Sequence, residues 1–360
     1  MPEVHARRRA QAWARAQDAC PEATALLVTS LANVRYLTGF TGSNGVLLLS
    51  EDAALLGTDG RYAVQVIEQS PDLSVHLDRV TLPAVTSVWH SGGGGVLAVE
   101  SEHLSVSDLR ALEGVIGASP RETTGVVEAC RMHKDASEIA LIDRACTISD
   151  EALQAILPRI HAGVTEREVA RWLEAQIFAL GADELSFETI VAAGPNSAKP
   201  HHEPSPRPVE EGEFLLIDFG AAVGGYHADE TRTFVIGEPA DWQREIHAVV
   251  ARAQEAGRAT ARADADLRSV DAAARSVIAE AGYAEFFDHG LGHGVGIEIH
   301  EAPFLGPRAT GRLPAGSPVT IEPGIYLPGR GGVRIEDTIL VAEGPSRSLT
   351  TSPRDLVVLG

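Results

Sequence analysis

The sequence is poor in three features that would each have assigned it to a large class of proteins. It has only three cysteines in 360 residues and no Cys-x-x-Cys pair. A disulfide framework or a cysteine-based metal site is therefore not expected, and a reducing, cytoplasmic location is predicted. No run of about 18 apolar residues suggests a transmembrane helix. The formal net charge of -20 argues against nucleic-acid or anionic-membrane partners, since both require a basic face.

Several catalytic motifs are also missing. The sequence contains neither Gly-x-Ser-x-Gly, nor the phosphate-binding Gly-x-x-x-x-Gly-Lys-Ser/Thr, nor the zinc motif His-Glu-x-x-His. The glycine-rich run 290–296 lacks the glycine spacing of a dinucleotide-binding fingerprint. A serine nucleophile or a phosphate-binding loop thus has no support in the sequence.

The length suggests two domains, and the pattern changes once along the chain. The basic start, residues 1–19, is interrupted by polar side chains, which favours an amphipathic helix over a signal peptide. The polar segment Arg131–Ser137 has no apolar period, so domains 1–132 and 133–360 are predicted. The first domain is expected to alternate strands (Ala25–Ser30, Val46–Leu49, Ala53–Thr58, Val96–Glu100) with helices (Arg61–Gln69, Ser107–Leu112).

The second domain combines long helices with short strands, a mixture that belongs to the α/β (α+β) class. Helical periodicity covers Ser137–Ile160, Asp241–Ala263 and Leu267–Ala281. A capping-box pattern, Thr165-Glu-Arg-Glu168, opens a further helix that runs to about Leu180. The predicted strands are Phe214–Phe219, Thr231–Ile236, Pro318–Ile321, Gly332–Ile335 and Thr338–Val341.

Acidic side chains occur at the ends of these apolar strands. Asp218 lies within Phe214–Phe219, and Asp229 stands at the head of the next strand, after a Gly-Gly turn. A lone aspartate in an apolar run usually caps a turn or a strand end. Two aspartates on paired neighbouring strands would repel one another unless a cation lies between them. Oxygen ligands around divalent ions supply that compensation.

The C-terminal part offers a complementary set of side chains. His293 lies in a glycine-rich turn, Glu322 follows one strand and Glu336 follows another. Each has an ordinary alternative, a solvated loop histidine or a strand-end salt bridge. Together with Asp218 and Asp229 they match a dinuclear centre, in which bridging carboxylates hold two metal ions about 3.5–4 Å apart. Spacing alone leaves both interpretations open.

The motifs around these residues resemble one family. They are Asp218-Phe-Gly-Ala, Gly225-Tyr-His-Ala-Asp229-Glu-Thr-Arg-Thr-Phe, His289-Gly-Leu-Gly-His293-Gly-Val-Gly, Glu322-Pro-Gly-Ile-Tyr and Val333-Arg-Ile-Glu336-Asp-Thr. In this order they are similar to the pita-bread metallopeptidases, which include Xaa-Pro aminopeptidases (aminopeptidase P), Xaa-Pro dipeptidases (prolidases), methionine aminopeptidases and the metal-free creatinases. The first domain, through Asn33-Val-Arg-Tyr-Leu-Thr-Gly-Phe-Thr-Gly and Thr58-Asp-Gly-Arg-Tyr62, resembles the Xaa-Pro and creatinase branch. Methionine aminopeptidases lack that domain.

The resemblance implies a fold and a cofactor. The catalytic domain would have a pseudo-twofold, curved antiparallel sheet covered by helices, preceded by a smaller α/β domain with a mixed sheet. Two divalent ions, manganese or alternatively cobalt or zinc, would bind. Asp218 would bind one ion, and Asp229 and Glu336 would bridge both. His293 and Glu322 would complete the ligand shell of the second ion. Creatinases lack these ligands, so the intact set argues against creatine hydrolysis.

The resemblance also implies substrate-side residues. His201, 17 positions before Asp218, would be the family's substrate-side histidine, His300 would contact the scissile amide, and His289 would lie near a proline pocket. A neutral or cationic histidine beside a metal site is suited to donating a hydrogen bond to a developing oxyanion. The neighbouring His202 is the competing candidate for the role of His201. Arg334 is expected to orient Glu336 or the substrate, with an exposed surface position as its alternative.

The implied reaction is cleavage of peptides that begin Xaa-Pro. We hypothesise that a hydroxide bridging the metal ions attacks the carbonyl before the prolyl nitrogen, with Glu322 accepting and shuttling the proton. Removal of the first residue from longer peptides is the favoured activity. A dipeptidase and, more remotely, a catalytically inactive binding module are the alternatives. A homodimer is expected from relatives only, and Ala228, where relatives commonly carry serine, is expected to adjust metal binding without abolishing it.

Overall fold

The computed structural model describes residues 2–360, and the chain divides into two compact units between Arg131 and Met132. In the first unit, six helices accompany one six-stranded sheet. The helices are α1 (Pro2–Ala19), α2 (Leu31–Thr38), α3 (Ala63–Gln69), α4 (Thr81–Ser91), α5 (Val106–Ile116) and α6 (Glu128–Arg131). The strands are β1 (Ala25–Val28), β2 (Val46–Leu49), β3 (Ala54–Thr58), β4 (Ser74–Leu77), β5 (Leu97–Glu100) and β6 (Arg121–Thr123).

The sheet of the first unit has the order β4-β3-β2-β1-β5-β6. The pairs β1–β2 and β2–β3 are antiparallel and the other three are parallel, so the sheet is mixed, as expected. Its central strands are fully buried because they are continuous apolar runs, and α4 and α5 contribute Val85 and Leu112 to the same core. Helices α2 and α4 were not predicted. Helix α2 is short and ends at Gly39 in the left-handed conformation, while α4 has no side-chain cap and contains Pro83.

The second unit carries four long helices and fourteen strands in the described part of the chain. The helices are α7 (Ala136–Ile156), α8 (Glu166–Ala179), α9 (Asp241–Thr260) and α10 (Leu267–Glu280). The strands are β7 (Glu184–Leu185), β8 (Ile190–Ala193), β9 (Phe214–Phe219), β10 (Ala221–Val223), β11 (Tyr226–His227), β12 (Glu230–Ile236), β13 (Gly292–Gly294), β14 (Glu301–Leu305), β15 (Pro318–Ile321), β16 (Gly324–Leu327), β17 (Gly331–Arg334), β18 (Asp337–Leu340), β19 (Arg347–Ser348) and β20 (Val358–Leu359).

Two halves of similar construction make up this second unit. Helices α7 and α8 pack through Ile148 and Val169 on the sheet β20-β12-β9-β8, which is antiparallel except for the β12–β20 pair. Helices α9 and α10 pack through Val250 and Val270 against the antiparallel sheet β14-β13-β15-β18-β19. Two helices on each sheet agree with the predicted pseudo-twofold, helix-covered architecture.

Helix ends follow the predicted local chemistry. Thr165 and Glu168 form the reciprocal capping box, since the Thr165 side chain accepts from the Glu168 N–H and the Glu168 side chain accepts from the Thr165 N–H. Asp135 opens α7 with a second capping box. The three cysteines are unpaired and buried. Over residues 2–360, every helix is too short or too polar to cross a membrane.

Candidate metal centre and active site

The five predicted metal ligands lie in or directly beside strands from both halves of the second unit. Asp218 is in β9, Asp229 directly precedes β12, His293 is in β13, Glu322 directly follows β15, and Glu336 lies between β17 and β18. Pairing of β9 with β12 puts Asp218 opposite Thr231, two residues after Asp229. All five side chains line one cavity of about 1100 Å³.

Distances show how closely these groups approach. One ligand atom from each of Asp229, His293 and Glu336 can be chosen so that all three lie within 4.8 Å of one another. The Nε2 atom of His293 is 3.5 Å from an oxygen of Asp229 and 3.4 Å from an oxygen of Glu322. Asp218 lies at the side of this group, where it accepts a hydrogen bond of 2.6 Å from Arg334.

His293 presents its unprotonated nitrogen to the acids. Its Nδ1 atom is 3.1 Å from the carbonyl of Gly294, so Nδ1 carries the proton and donates it, and Nε2 bears a lone pair. Burial lowers the pKa of His293 to about 4, and neighbouring His300 lowers it further in the same direction. A lone pair that faces two carboxylates is repulsive unless a cation lies between them. This donor set therefore fits a metal ion.

The carboxylates point to the same requirement. Burial raises the pKa of Asp229 well above its ordinary value, and the charges of Asp218 and Glu322 raise it further. Burial likewise raises the pKa of Glu322 to about 8 and that of Glu336 well above its usual range. One oxygen of Asp218 is buried without a hydrogen-bond partner. A divalent cation would compensate these charges and fill the open coordination of Asp218.

Two threonines hold the acidic ligands in place. Thr231 donates a hydrogen bond of 2.6 Å to Glu336 and accepts one of 3.0 Å from the Nε–H of Arg334. Thr320 donates to Glu322 over 3.2 Å and accepts the backbone N–H of His293 over 3.0 Å. Such outer contacts orient metal ligands. Sequence reasoning missed both threonines, because threonine in a strand is an ordinary strand former.

Arg334 is buried, so the exposed alternative for it is wrong. Its guanidinium donates to Asp218 and to the hydroxyl of Tyr326 over 2.9 Å, and it reaches Glu336 only through Thr231. Burial alone would lower the pKa of Arg334, but Tyr326, Asp218 and neighbouring acids hold it well above its ordinary value. This residue therefore carries a permanent positive charge beside Asp218.

Tyr326 is a candidate functional residue that sequence reasoning passed over. It is buried in β16, and burial raises its pKa to about 12. Its hydroxyl accepts from Arg334 and is 3.0 Å from Nε2 of His289. Because Nδ1 of His289 lies 2.8 Å from the carbonyl of Gly290 and donates to it, Nε2 accepts the Tyr326 proton. The Tyr of the Glu322-Pro-Gly-Ile-Tyr motif was the available signal.

The remaining predicted histidines line the same cavity but differ in their contacts. The His300 ring packs edge-on against His293, with centroids 4.3 Å apart. Burial lowers the pKa of His300, and nearby His201 contributes to this lowering. Burial also lowers the pKa of His289 to about 4. His202, in contrast, is bound through Nε2 to Glu166 over 2.9 Å.

Two local expectations need correction or comment. The glycine-rich segment around His293 is a strand, β13, rather than a turn. Glycine is required there because a Cβ at Gly292 would lie 2.1 Å from the carbonyl of Thr320, and one at Gly294 would lie 2.4 Å from that of Ala302. Ala228 is fully buried among apolar side chains such as Ile142 and Cys146, which suit a methyl group.

The fold and this cluster of acids and histidine define the class of the protein, a metal-dependent peptidase. The chain belongs to metallopeptidase family M24, whose model matches residues 140–343, and residues 7–133 match the creatinase/prolidase N-terminal domain.

Three relatives illustrate the similarity. The structure of an Xaa-Pro dipeptidase from Bacillus anthracis is 38% identical, covers 99% of this chain and 100% of its own, and has a TM-score of 0.94. An X-Pro aminopeptidase from Thermotoga maritima is also 38% identical, covering 93% and 96%, with a TM-score of 0.87. An Xaa-Pro dipeptidase from Pyrococcus horikoshii is 42% identical over 66% of this chain and 68% of its own sequence.

Proposed function

We propose that this metallopeptidase is an Xaa-Pro dipeptidase that uses two divalent ions. The sequence favoured an aminopeptidase, but the names of similar proteins support the dipeptidase alternative better. Asp218, Asp229, His293, Glu322 and Glu336 would hold the ions. Manganese is the first candidate, with cobalt or zinc as alternatives. When bound, two such ions lower the pKa of water and polarise a carbonyl group.

The protein groups around the ions have separate tasks in this proposal. The oxygen of Glu322 that does not face Thr320 accepts a proton from the attacking water. Glu322 then donates this proton to the prolyl nitrogen as the amide bond breaks. His300 and His201 donate N–H hydrogen bonds to the carbonyl oxygen as it gains negative charge. Arg334 and Tyr326 keep Asp218 and His289 in place.

An arginine side chain on the cavity wall supports a dipeptide as the substrate. Among the lining residues described, Arg308 and Arg334 are the two with a permanent positive charge. Arg334 is occupied by Asp218, whereas Arg308 is exposed and makes no hydrogen bond or ion pair within residues 2–360. A dipeptide ends in a carboxylate one residue beyond the scissile bond. The guanidinium of an arginine can donate two parallel hydrogen bonds to that carboxylate.

Three substrates test this proposal: Ala-Pro, its amide Ala-Pro-NH2, and Ala-Pro-Ala. The wild type should cleave Ala-Pro with at least about tenfold higher kcat/KM than the other two, since a charge-assisted hydrogen bond contributes about 1.5–3 kcal/mol. Arg308→Gln should remove most of that preference. Arg312→Gln is the matched control, because Arg312 is exposed nearby but does not line the cavity. Faster cleavage of Ala-Pro-Ala would establish the aminopeptidase instead.

Metal content separates an enzyme from an inactive binding module. Purified protein reconstituted with manganese, cobalt or zinc should retain about two equivalents after gel filtration and gain activity. Less than one equivalent with no activation would favour the binding module.

The homodimer and the cytoplasmic location are proposals too. Sedimentation velocity at micromolar protein concentration tests the homodimer. Cell fractionation tests the cytoplasmic location.

A further inference from the structure

The segment that carries His201 is held mainly by a side chain that does not line the cavity. It runs from Ala193, the last residue of β8, to Ser205 and contains little regular structure beyond a short helical turn, Gly194–Ala198. His201 itself is exposed toward the cavity. An exposed side chain on an irregular segment needs contacts elsewhere to keep one position.

Five hydrogen bonds of the segment converge on one carboxylate, that of Glu166 at the first turn of α8. Two others come from the N–H of Gly332 to the Ser197 hydroxyl and from Arg334 to the Pro200 carbonyl. Glu166 is completely buried. It accepts hydrogen bonds from the N–H of Ala193 at 2.8 Å, the amide of Asn196 at 2.9 Å and Nε2 of His202 at 2.9 Å. It also accepts from the N–H and the hydroxyl of Ser205, at 3.0 and 2.6 Å. Both ends and the middle of the segment are therefore bound to the same side chain.

His202 lines the same cavity as His201, but its Nε2 is bound to Glu166. Its side chain is 11% exposed, and its Nε2–H points to Glu166. Burial alone would raise the pKa of Glu166, but hydrogen bonds from Ser205, Ala193, Asn196 and His202 lower it below its ordinary value. The acid is thus ionised and pairs with donors only. His201 and His202 are consecutive, so a bond that fixes one limits the positions of the other.

We propose that Glu166 and His202 are positioning residues that hold the segment 193–205 so that His201 meets the scissile carbonyl. The inference rests on the proposed peptidase function for its kinetic part, because it names residues that act on the same site through His201. Neither side chain needs to touch the substrate. A displacement of about 1 Å at a catalytic group can cost about 100-fold in rate.

The test compares His202→Ala with His202→Gln. Glutamine can put its amide nitrogen near the place of Nε2 and donate to Glu166, whereas alanine cannot. His202→Ala should lower kcat about tenfold, with KM for the substrate and the metal dissociation constant within about twofold of wild type. His202→Gln should recover most of kcat. Equal loss in both variants would mean that the imidazole itself is catalytic and would overturn the proposal, and wild-type activity in both would overturn it as well.

A second measurement reports on the anchor without any turnover. Glu166→Gln replaces an acceptor with a group that also carries N–H, opposite the donors of Ala193 and Ser205. Hydrogen exchange of peptides within 193–205 should accelerate at least about tenfold in Glu166→Gln and in His202→Ala. The matched control is Glu168→Gln, in the same helical turn, which caps Thr165 and does not contact the segment. Unchanged exchange in Glu166→Gln, or equal acceleration in the control, would refute the anchor.

These outcomes are distinguishable from failure of the proposed dipeptidase. Kinetics are measured with the Xaa-Pro peptide that the wild type cleaves fastest, whatever its length. A wild type that prefers tripeptides contradicts the dipeptidase and leaves the comparison of variants intact. If no Xaa-Pro peptide is cleaved, the peptidase proposal fails and hydrogen exchange alone decides whether Glu166 holds the segment.

Discussion

His247 predicts a measurable loss of stability in acid. It lies on α9, is 5% exposed, and its Nε2 atom is buried with no hydrogen-bond partner among the residues described. Burial lowers the pKa of His247 to about 4, and Asp355 opposes this only in part. A histidine in an unfolded chain has a pKa near 6.5, so the unfolded state binds a proton more readily than the folded state.

The sign and size follow from linkage. The unfolded state takes up the proton as the pH falls below about 6.5, and the folded state follows only near 4. The free energy of unfolding therefore decreases across this range and levels off below pH 4. The full difference of about 2.5 pKa units corresponds to about 3.4 kcal/mol, of which about 2 kcal/mol is lost by pH 5.

The assay is urea unfolding of wild type and His247→Leu, without metal, between pH 8 and pH 5. Leucine is of similar size and does not titrate, so the variant should gain about 2 kcal/mol relative to wild type on going from pH 8 to pH 5. The other histidines titrate in both proteins, and their contributions cancel in the difference. His161→Leu, at an exposed position, is the control. A stability difference that stays constant with pH would refute the buried, neutral state of His247.

Three further predictions concern the metal centre and a buried ion pair. Thr231→Val should weaken metal binding about 10–100-fold, measured by calorimetric titration, because Glu336 loses its hydrogen bond; Thr123→Val, which removes a buried threonine hydroxyl bonded to the carbonyl of Val99 in the first unit, should change it little. Removing metal with a chelator should lower the free energy of unfolding by about 4 kcal/mol relative to protein in metal at 1,000 times its Kd, and an unchanged Tm would contradict the metal site. Lys134→Met should destabilise the protein by about 3–5 kcal/mol, since Lys134 and Glu301 form a buried ion pair of 2.5 Å; adding Glu301→Gln should restore part of the loss, and full additivity would contradict the pairing.

The parts of the fold that the sequence predicted are those with a strong local signal. Strands β9 and β15 have the predicted bounds because each is a mostly apolar run that is buried on both faces. Strands β7, β11 and β13 were missed because each has two or three residues. A strand this short carries too few side chains for a period of two to be visible, and its pairing depends on distant partners.

The site also combines features with a local sequence signal and features that depend on distant residues. Acids at strand ends were visible locally, and their order along the chain matched a family, so their convergence could be predicted. Arg334, by contrast, was expected beside Glu336 because the two are neighbours in sequence, yet its guanidinium binds Asp218, 116 positions away. Strand alternation alone would put Arg334 and Glu336 on one face, so the choice of Asp218 depends on which strand packs beside β17. Sequence distance is therefore a poor guide to which acid an arginine stabilises.

Glu166 is the clearest example of a residue whose contacts depend on distant parts of the chain. The capping box was predicted from Thr165 and Glu168, which are three residues apart, and the structure confirms it. Glu166 between them looked like one more acid at a helix start, where the helix dipole favours negative charge. Its five donors lie 27 to 39 positions further along the chain, so no local pattern predicts the role of Glu166. The comparison of Glu166→Gln with Glu168→Gln thus sets an acid held by distant donors against one held by a local capping box in the same helical turn.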